Sequence, residues 1–96
     1  MPEKKLQSEI IKWLKSQGAY VIKHSAVVGV PTGCPDLSAY YDGAVIFIEV
    51  KSSPKAPFQP LQKETLAKLK DWFEFVYVAT PDNWAEIKTV LSDSFF

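Results

Sequence analysis

The strongest constraint in the chain is the dipeptide Asp42-Gly43. It sits between Leu37-Ser38-Ala39-Tyr40-Tyr41 and Ala44-Val45-Ile46-Phe47-Ile48-Glu49-Val50. Asp-Gly between two β-rich runs predicts a hairpin closed by a two-residue turn with Asp42 and Gly43 at its centre. The register follows by counting outward. Tyr41 faces Ala44, Tyr40 faces Val45, Ala39 faces Ile46, Ser38 faces Phe47 and Leu37 faces Ile48. One step further, Asp36 falls opposite Glu49. Side chains alternate faces along a strand, so Lys51 shares the face of Glu49.

This register divides the hairpin chemically. Leu37, Ala39, Ile46, Ile48 and Val50 form one apolar face, the candidate core. The other face sets two carboxylates opposite each other, with Cβ atoms roughly 4.5–5.5 Å apart. At an effective dielectric near 20, such charges repel by about 3 kcal/mol. That placement does not serve stability. A shared proton or a hard cation resolves it, and Mg²⁺ is commonly held by one or two carboxylates plus waters and substrate phosphate. Lys51 adds a positive charge beside the pair. Two acids, a lysine and a divalent cation suit hydrolysis of a phosphodiester. The plainer alternative has Asp36 capping the strand entry and Glu49 and Lys51 as ordinary solvent-face charges.

Ninety-six residues predict one domain, 1–96, with a single modest core. At 47% hydrophobic content the chain should fold. It has no long apolar run and no signal-peptide pattern, so the expectation is a soluble, intracellular protein of the cytoplasm. The lone Cys34 excludes an internal disulfide framework and a cysteine-rich zinc site. Net charge is zero, but its distribution is uneven. Every lysine except Lys88 lies before residue 71, whereas Asp71, Glu74, Asp82, Glu86 and Asp93 lie at or after it. The half carrying the acid pair is therefore basic. The chain has no arginine, so phosphate contacts would fall to lysines, backbone N–H groups and hydroxyls.

Along the chain, residues 3–17 read as a helix with Leu6, Ile10, Trp13, Leu14 and Gln17 on one side and Gly18 just past its end. Glu9 lies at the edge of that apolar stripe. It reads either as a boundary glutamate or as a third acid aimed at the hairpin's polar face. Residues 19–24 read as a strand ending at His24, a lone histidine with no partner motif that reads either as a plain strand or loop residue or as a contact to phosphate. Residues 25–35 form a Gly/Pro-rich loop, unusually apolar at Val27, Val28 and Val30. A second loop covers 52–59, where Ser52, Ser53 and Lys55 are candidate contacts to a nucleic-acid backbone. Residues 60–73 read as a helix opened by proline, with Thr65, Leu66, Leu69, Trp72 and Phe73 inward and Gln62 on the same side. A strand at 75–80 and a helix from Pro81 or Asp82 to Leu91 follow, the helix with Trp84, Ile87, Val90 and Leu91 apolar. Phe95 and Phe96 close the chain and call for docking or a partner. The order is α-β-β-β-α-β-α, an α/β fold with a mixed four-stranded sheet flanked by helices.

Glu9 in the first helix, Gly33-Cys34-Pro35-Asp36-Leu37, Ile48-Glu49-Val50-Lys51 and Gln59-Pro60-Leu61-Gln62 occur in an order and spacing that spans nearly the whole chain. In these residues the sequence resembles a minimal, stand-alone VRR-Nuc domain of the PD-(D/E)xK nuclease superfamily. The resemblance implies a restriction-endonuclease-like core that cuts DNA with Mg²⁺ or Mn²⁺. Asp36 and Glu49 would be metal ligands, helped by the backbone carbonyl of Val50. Lys51 would orient or activate the attacking water, Glu9 would serve the outer sphere or a second ion, and Gln62 would position the lysine, a water or the scissile strand. It also implies a homodimer resembling Holliday-junction resolvases. The sequence departs from the family pattern at Asp71-Trp72-Phe73-Glu74, a bulky turn where a small, glycine-containing one is usual.

Three readings compete with a junction-selective homodimeric nuclease. One keeps the chemistry but targets a flap, nick or plain duplex. Another is a nuclease-like module that binds DNA without cutting, which gives no reason to keep two repelling carboxylates. The last is a structural subunit, which rests on the apolar loop and the terminal phenylalanines.

Overall fold

The structure is a computed structural model that describes residues 2–24, 33–58 and 60–96. Its elements run α1 (Glu3–Ser16), β1 (Tyr20–Lys23), β2 (Leu37–Tyr41), β3 (Ala44–Val50), α2 (Pro60–Trp72), β4 (Phe75–Ala79) and α3 (Trp84–Ser94). The four strands form one sheet in the order β1-β2-β3-β4, with two antiparallel pairings and then a parallel one between β3 and β4. A parallel neighbour requires a crossover, which α2 supplies.

The hairpin turn is as expected, with positive φ at both Asp42 (47°) and Gly43 (81°). The register of β2 and β3 matches residue for residue, from Tyr41 against Ala44 to Leu37 against Ile48. Leu37, Ala39, Ile46, Ile48 and Val50 are all buried. They join Leu6, Ile10 and Leu14 of α1, Trp84, Ile87 and Leu91 of α3, and Ala79 of β4 in one cluster. α2 packs near the edge of the sheet occupied by β3 and β4, where Phe73, just past its end, meets Phe47 edge to face with ring centroids 5.0 Å apart.

Several expectations change. Trp72, expected inward on α2, is 73% exposed, and Val90, expected apolar-side on α3, is also exposed. Phe73, also expected inward, is 37% exposed and keeps its edge-to-face contact with Phe47, so the bulky turn after α2 lies largely at the surface. Phe95 and Phe96 need no partner chain. Phe95 packs edge to face on Phe75 (4.6 Å between centroids), and Phe96 packs on Tyr41 (4.9 Å) and Trp13 (5.4 Å). The terminal aromatics thus lid their own core, which removes them as support for a structural-subunit role. α3 starts at Trp84, later than Pro81 or Asp82, because Thr80 and Asn83 first tie a turn. Val27, Val28 and Val30, the apolar part of the first loop, lie outside the described residues.

Candidate active site

β2 and β3 end their backbone pairing at Leu37 and Ile48, and side chains continue the ladder. The backbone N–H of Asp36 donates to Glu49 Oε1 (3.0 Å), and that of Val50 donates to Asp36 Oδ2 (2.9 Å). Each acid therefore accepts an amide from the opposite strand, and the two are locked side by side as the register required. Asp36 is half-buried and keeps some contact with solvent, whereas Glu49 is only 1% exposed.

Glu49 is held by two further groups. Lys51 Nζ approaches its Oε2 at 3.3 Å, and Gln62 Nε2 donates to the same oxygen. Lys51 Nζ also donates to Gln62 Oε1 at 2.9 Å, so Gln62 bridges acid and lysine. Lys51 is 9% exposed, which rules out the plain solvent-face reading of the Glu49–Lys51 pair. The other plain reading holds in part, since Asp36 does accept a strand amide. Burial first, and the charge of Asp36 second, push the Glu49 carboxyl from its ordinary 4.5 up to about 7, while Lys51 pulls the other way.

Gln62 reaches this cluster because α2 starts close to the chain entering β2. Gly33 has φ +92°, and a Cβ placed there would lie 2.6 Å from the carbonyl oxygen of Leu61. Only glycine permits both that conformation and that approach. The contact holds the first turn of α2 against the segment leading to Asp36.

Glu9 is not part of the cluster. It is exposed on α1 and, among the described residues, makes no hydrogen bond or ion pair with Asp36, Glu49, Lys51 or Gln62. The helix turns its buried side, Leu6 and Ile10, to the sheet and leaves Glu9 outside. His24 lies nearer. Its backbone N–H donates to the carbonyl of Asp36 at 2.7 Å, and its Nε2 is in hydrogen-bond contact with Ser38 Oγ at 2.8 Å. Ser38 Oγ in turn donates to the Tyr40 hydroxyl at 3.2 Å. Ser52 and Lys55 are exposed in the bend and turn after β3, and Ser53 is half-buried there.

Sequence reasoning missed Phe58, whose ring centroid lies 4.9 Å from Lys51 Nζ. Its place in a loop carries no periodicity, so only the nearness of that loop to Lys51 could have hinted at it. A cation over an aromatic face is favoured modestly even where, as here, the ring is partly exposed.

The donor set suits a hard divalent cation. Two carboxylates converge, one is accessible, and the buried one is disfavoured as an anion by its neighbour's charge, which a cation would relieve. Among the described residues no three of His, Cys, Asp and Glu come together, so any ion here would complete its shell with water, backbone oxygen or substrate.

No helix of the described residues is long and apolar enough to cross a membrane. No curated protein and no solved structure matches the chain significantly. The family model of the archaeal Holliday junction resolvases (Hjc), nucleases of the restriction-endonuclease-like fold, matches residues 4–90, and the chain, with its α-β-β-β-α-β-α order and mixed sheet, belongs to that family.

Proposed function

We propose that the protein is a divalent-metal-dependent endonuclease that hydrolyses DNA phosphodiester bonds at branched structures, acting as a homodimer. One observation carries the reading: Asp36, Glu49, Lys51 and Gln62 form a single hydrogen-bonded cluster at the open end of the hairpin. Asp36 and Glu49 would hold Mg²⁺ or Mn²⁺ with the Val50 carbonyl. When bound, the ion would activate water and neutralise charge on the phosphate. Lys51 would steady the charge that builds on the phosphorane. Gln62 would keep the lysine aligned, and Ser52, Ser53, Lys55 and His24 would contact the DNA backbone. The finer kinship with VRR-Nuc domains and a cytoplasmic location belong to the same proposal.

Two sites related by a two-fold axis would cut opposed strands of a four-way junction. Trp72 is the large exposed aromatic that most needs a cover, and we place the two-fold contact there.

Cleavage of a four-way junction, a flap and a plain duplex, each with and without Mg²⁺, tests the reading. Metal-dependent cutting with the junction preferred is the expected result. Tight binding without cutting in any divalent metal would make the chain a binding module. Equal cutting of all three DNAs would remove the branch selectivity.

A further inference from the structure

Thr80 follows directly on β4. It is 3% exposed, and its Oγ1 is the buried side-chain polar atom that has no hydrogen-bond partner among the described residues. A buried hydroxyl in that state weakens a fold, and valine would fill the same space without it. Threonine at the start of a helical turn ordinarily uses its hydroxyl as a cap. Here other atoms do that work. Asn83 Oδ1 accepts the Thr80 N–H at 2.7 Å, and the Thr80 carbonyl accepts the N–H of Asn83 (3.2 Å) and of Trp84 (3.0 Å). The local turn therefore leaves the hydroxyl unexplained.

Its position suggests the reason. Val50 pairs with Ala79 across β3 and β4, and both side chains are in the core. The N–H of Lys51 donates to the Ala79 carbonyl at 2.9 Å. Lys51 and Thr80 come one residue past the ends of the two strands, and the alternation continued by that one step sets both on the face that carries Glu49. The Lys51 ammonium has three N–H groups. In the free protein it engages Gln62 Oε1 and Glu49 Oε2. During cleavage, on the nuclease reading above, Lys51 must release Glu49 and turn to the scissile phosphate.

We propose that Thr80 is a positioning residue for Lys51: its hydroxyl accepts an ammonium N–H when Lys51 leaves Glu49, and so holds the lysine against the phosphate. No proton changes hands and no covalent bond is made. The hydroxyl has no partner in the free protein because its partner arrives only with substrate, a small loss of stability retained at a working site.

Thr80→Val and Thr80→Ser test this on a four-way junction with Mg²⁺, alongside melting of the metal-free proteins. Thr80→Val should lower kcat about tenfold with KM unchanged, and should melt at or above wild type. Thr80→Ser should restore kcat to within about twofold of wild type. A Thr80→Val protein with wild-type kcat overturns the role of Thr80 alone. One that melts lower and loses activity in step assigns the residue to the fold and also overturns it. A wild type that cuts none of the DNAs overturns the nuclease reading beneath it.

Discussion

Asp36→Asn isolates the charge of the acid pair almost without disturbing its geometry. Asp36 Oδ2 accepts the Val50 N–H, and no hydrogen bond engages its other oxygen among the described residues. An asparagine offers the same acceptor to Val50 and turns its amide to the open side. The substitution therefore removes one negative charge from beside Glu49. The Glu49 carboxyl rises from 4.5 to about 7, which corresponds to roughly 3 kcal/mol of penalty on the anion at 1.36 kcal/mol per unit. Burial is the larger cause and Asp36 the second. The share relieved by Asp36→Asn is then about 1 kcal/mol once solvent screening is allowed for. In a domain of this size that moves Tm by roughly 4–8 °C.

The pH dependence fixes the sign. Glu49 is neutral in both folded and unfolded states below about 4.5, so the penalty is absent there. As pH rises toward about 7 the unfolded chain ionises first, and the stability of the folded protein falls; above that the loss is complete. The mutant should therefore track wild type from pH 4.5 to about 6, pull ahead as pH approaches about 7, and stay ahead at about pH 8. Mg²⁺ at ten times its dissociation constant should add about 1.4 kcal/mol to wild type and little to the mutant, which should not cut. The assay is thermal melting of metal-free and Mg²⁺-loaded protein across that range. A mutant that melts lower than wild type at pH 8 would make Asp36 a structural acceptor first and sink the paired-carboxylate argument.

Three other perturbations have defined outcomes. Lys51→Ala should leave junction binding nearly unchanged while removing cleavage; more than about a tenth of the wild-type rate, or less than roughly 1.4 kcal/mol of barrier, would refute a catalytic role. Gly33→Ala forces a Cβ into the Leu61 carbonyl at positive φ, so it should lower stability by about 1–3 kcal/mol and reduce cleavage by shifting Gln62, and an unchanged Tm would refute the close approach. Light scattering at micromolar concentration should show a dimer that Trp72→Glu weakens; a monomeric wild type would refute the two-fold, and an undisturbed mutant dimer would move the contact elsewhere.

The hairpin was legible because its signals are local. Asp42-Gly43 selects the turn, alternation selects the faces, and counting then delivers Asp36 to Glu49. The inward placement of Gln62 was legible from helical period alone. What the sequence left open or misplaced was of a different kind. Glu9 lies at the edge of an apolar stripe, where a small rotation of α1 decides between site and solvent, and helical period does not set that rotation. Trp72 and Phe73 are adjacent and both apolar, so composition could not say that both would stay exposed and that only Phe73 would reach Phe47. Phe95 and Phe96 follow the last helical turn, where no period applies, and only the gap beside Trp13, Tyr41 and Phe75 explains their docking. Phe58 reaches Lys51 across a loop, a contact with no signature in sequence spacing.

The way the fold holds two mutually repelling acids follows from the same alternation that places them. Asp36, Glu49 and Lys51 each neighbour residues of the core face: Leu37 follows Asp36, and Ile48 and Val50 bracket Glu49. Sliding β3 by one residue would carry Glu49 into the core and expose Ile46, Ile48 and Val50. Burying an aliphatic side chain is worth about 1.5–3 kcal/mol. Three such residues outweigh a repulsion of about 3 kcal/mol between the carboxylates. The core face therefore clamps the register, and the acids cannot relax apart by slipping. The strand amides that each acid accepts restrain the remaining rotation of the side chains. Lys51 offsets part of the repulsion in the free protein, and a proton on Glu49 or a cation between the pair relieves the rest.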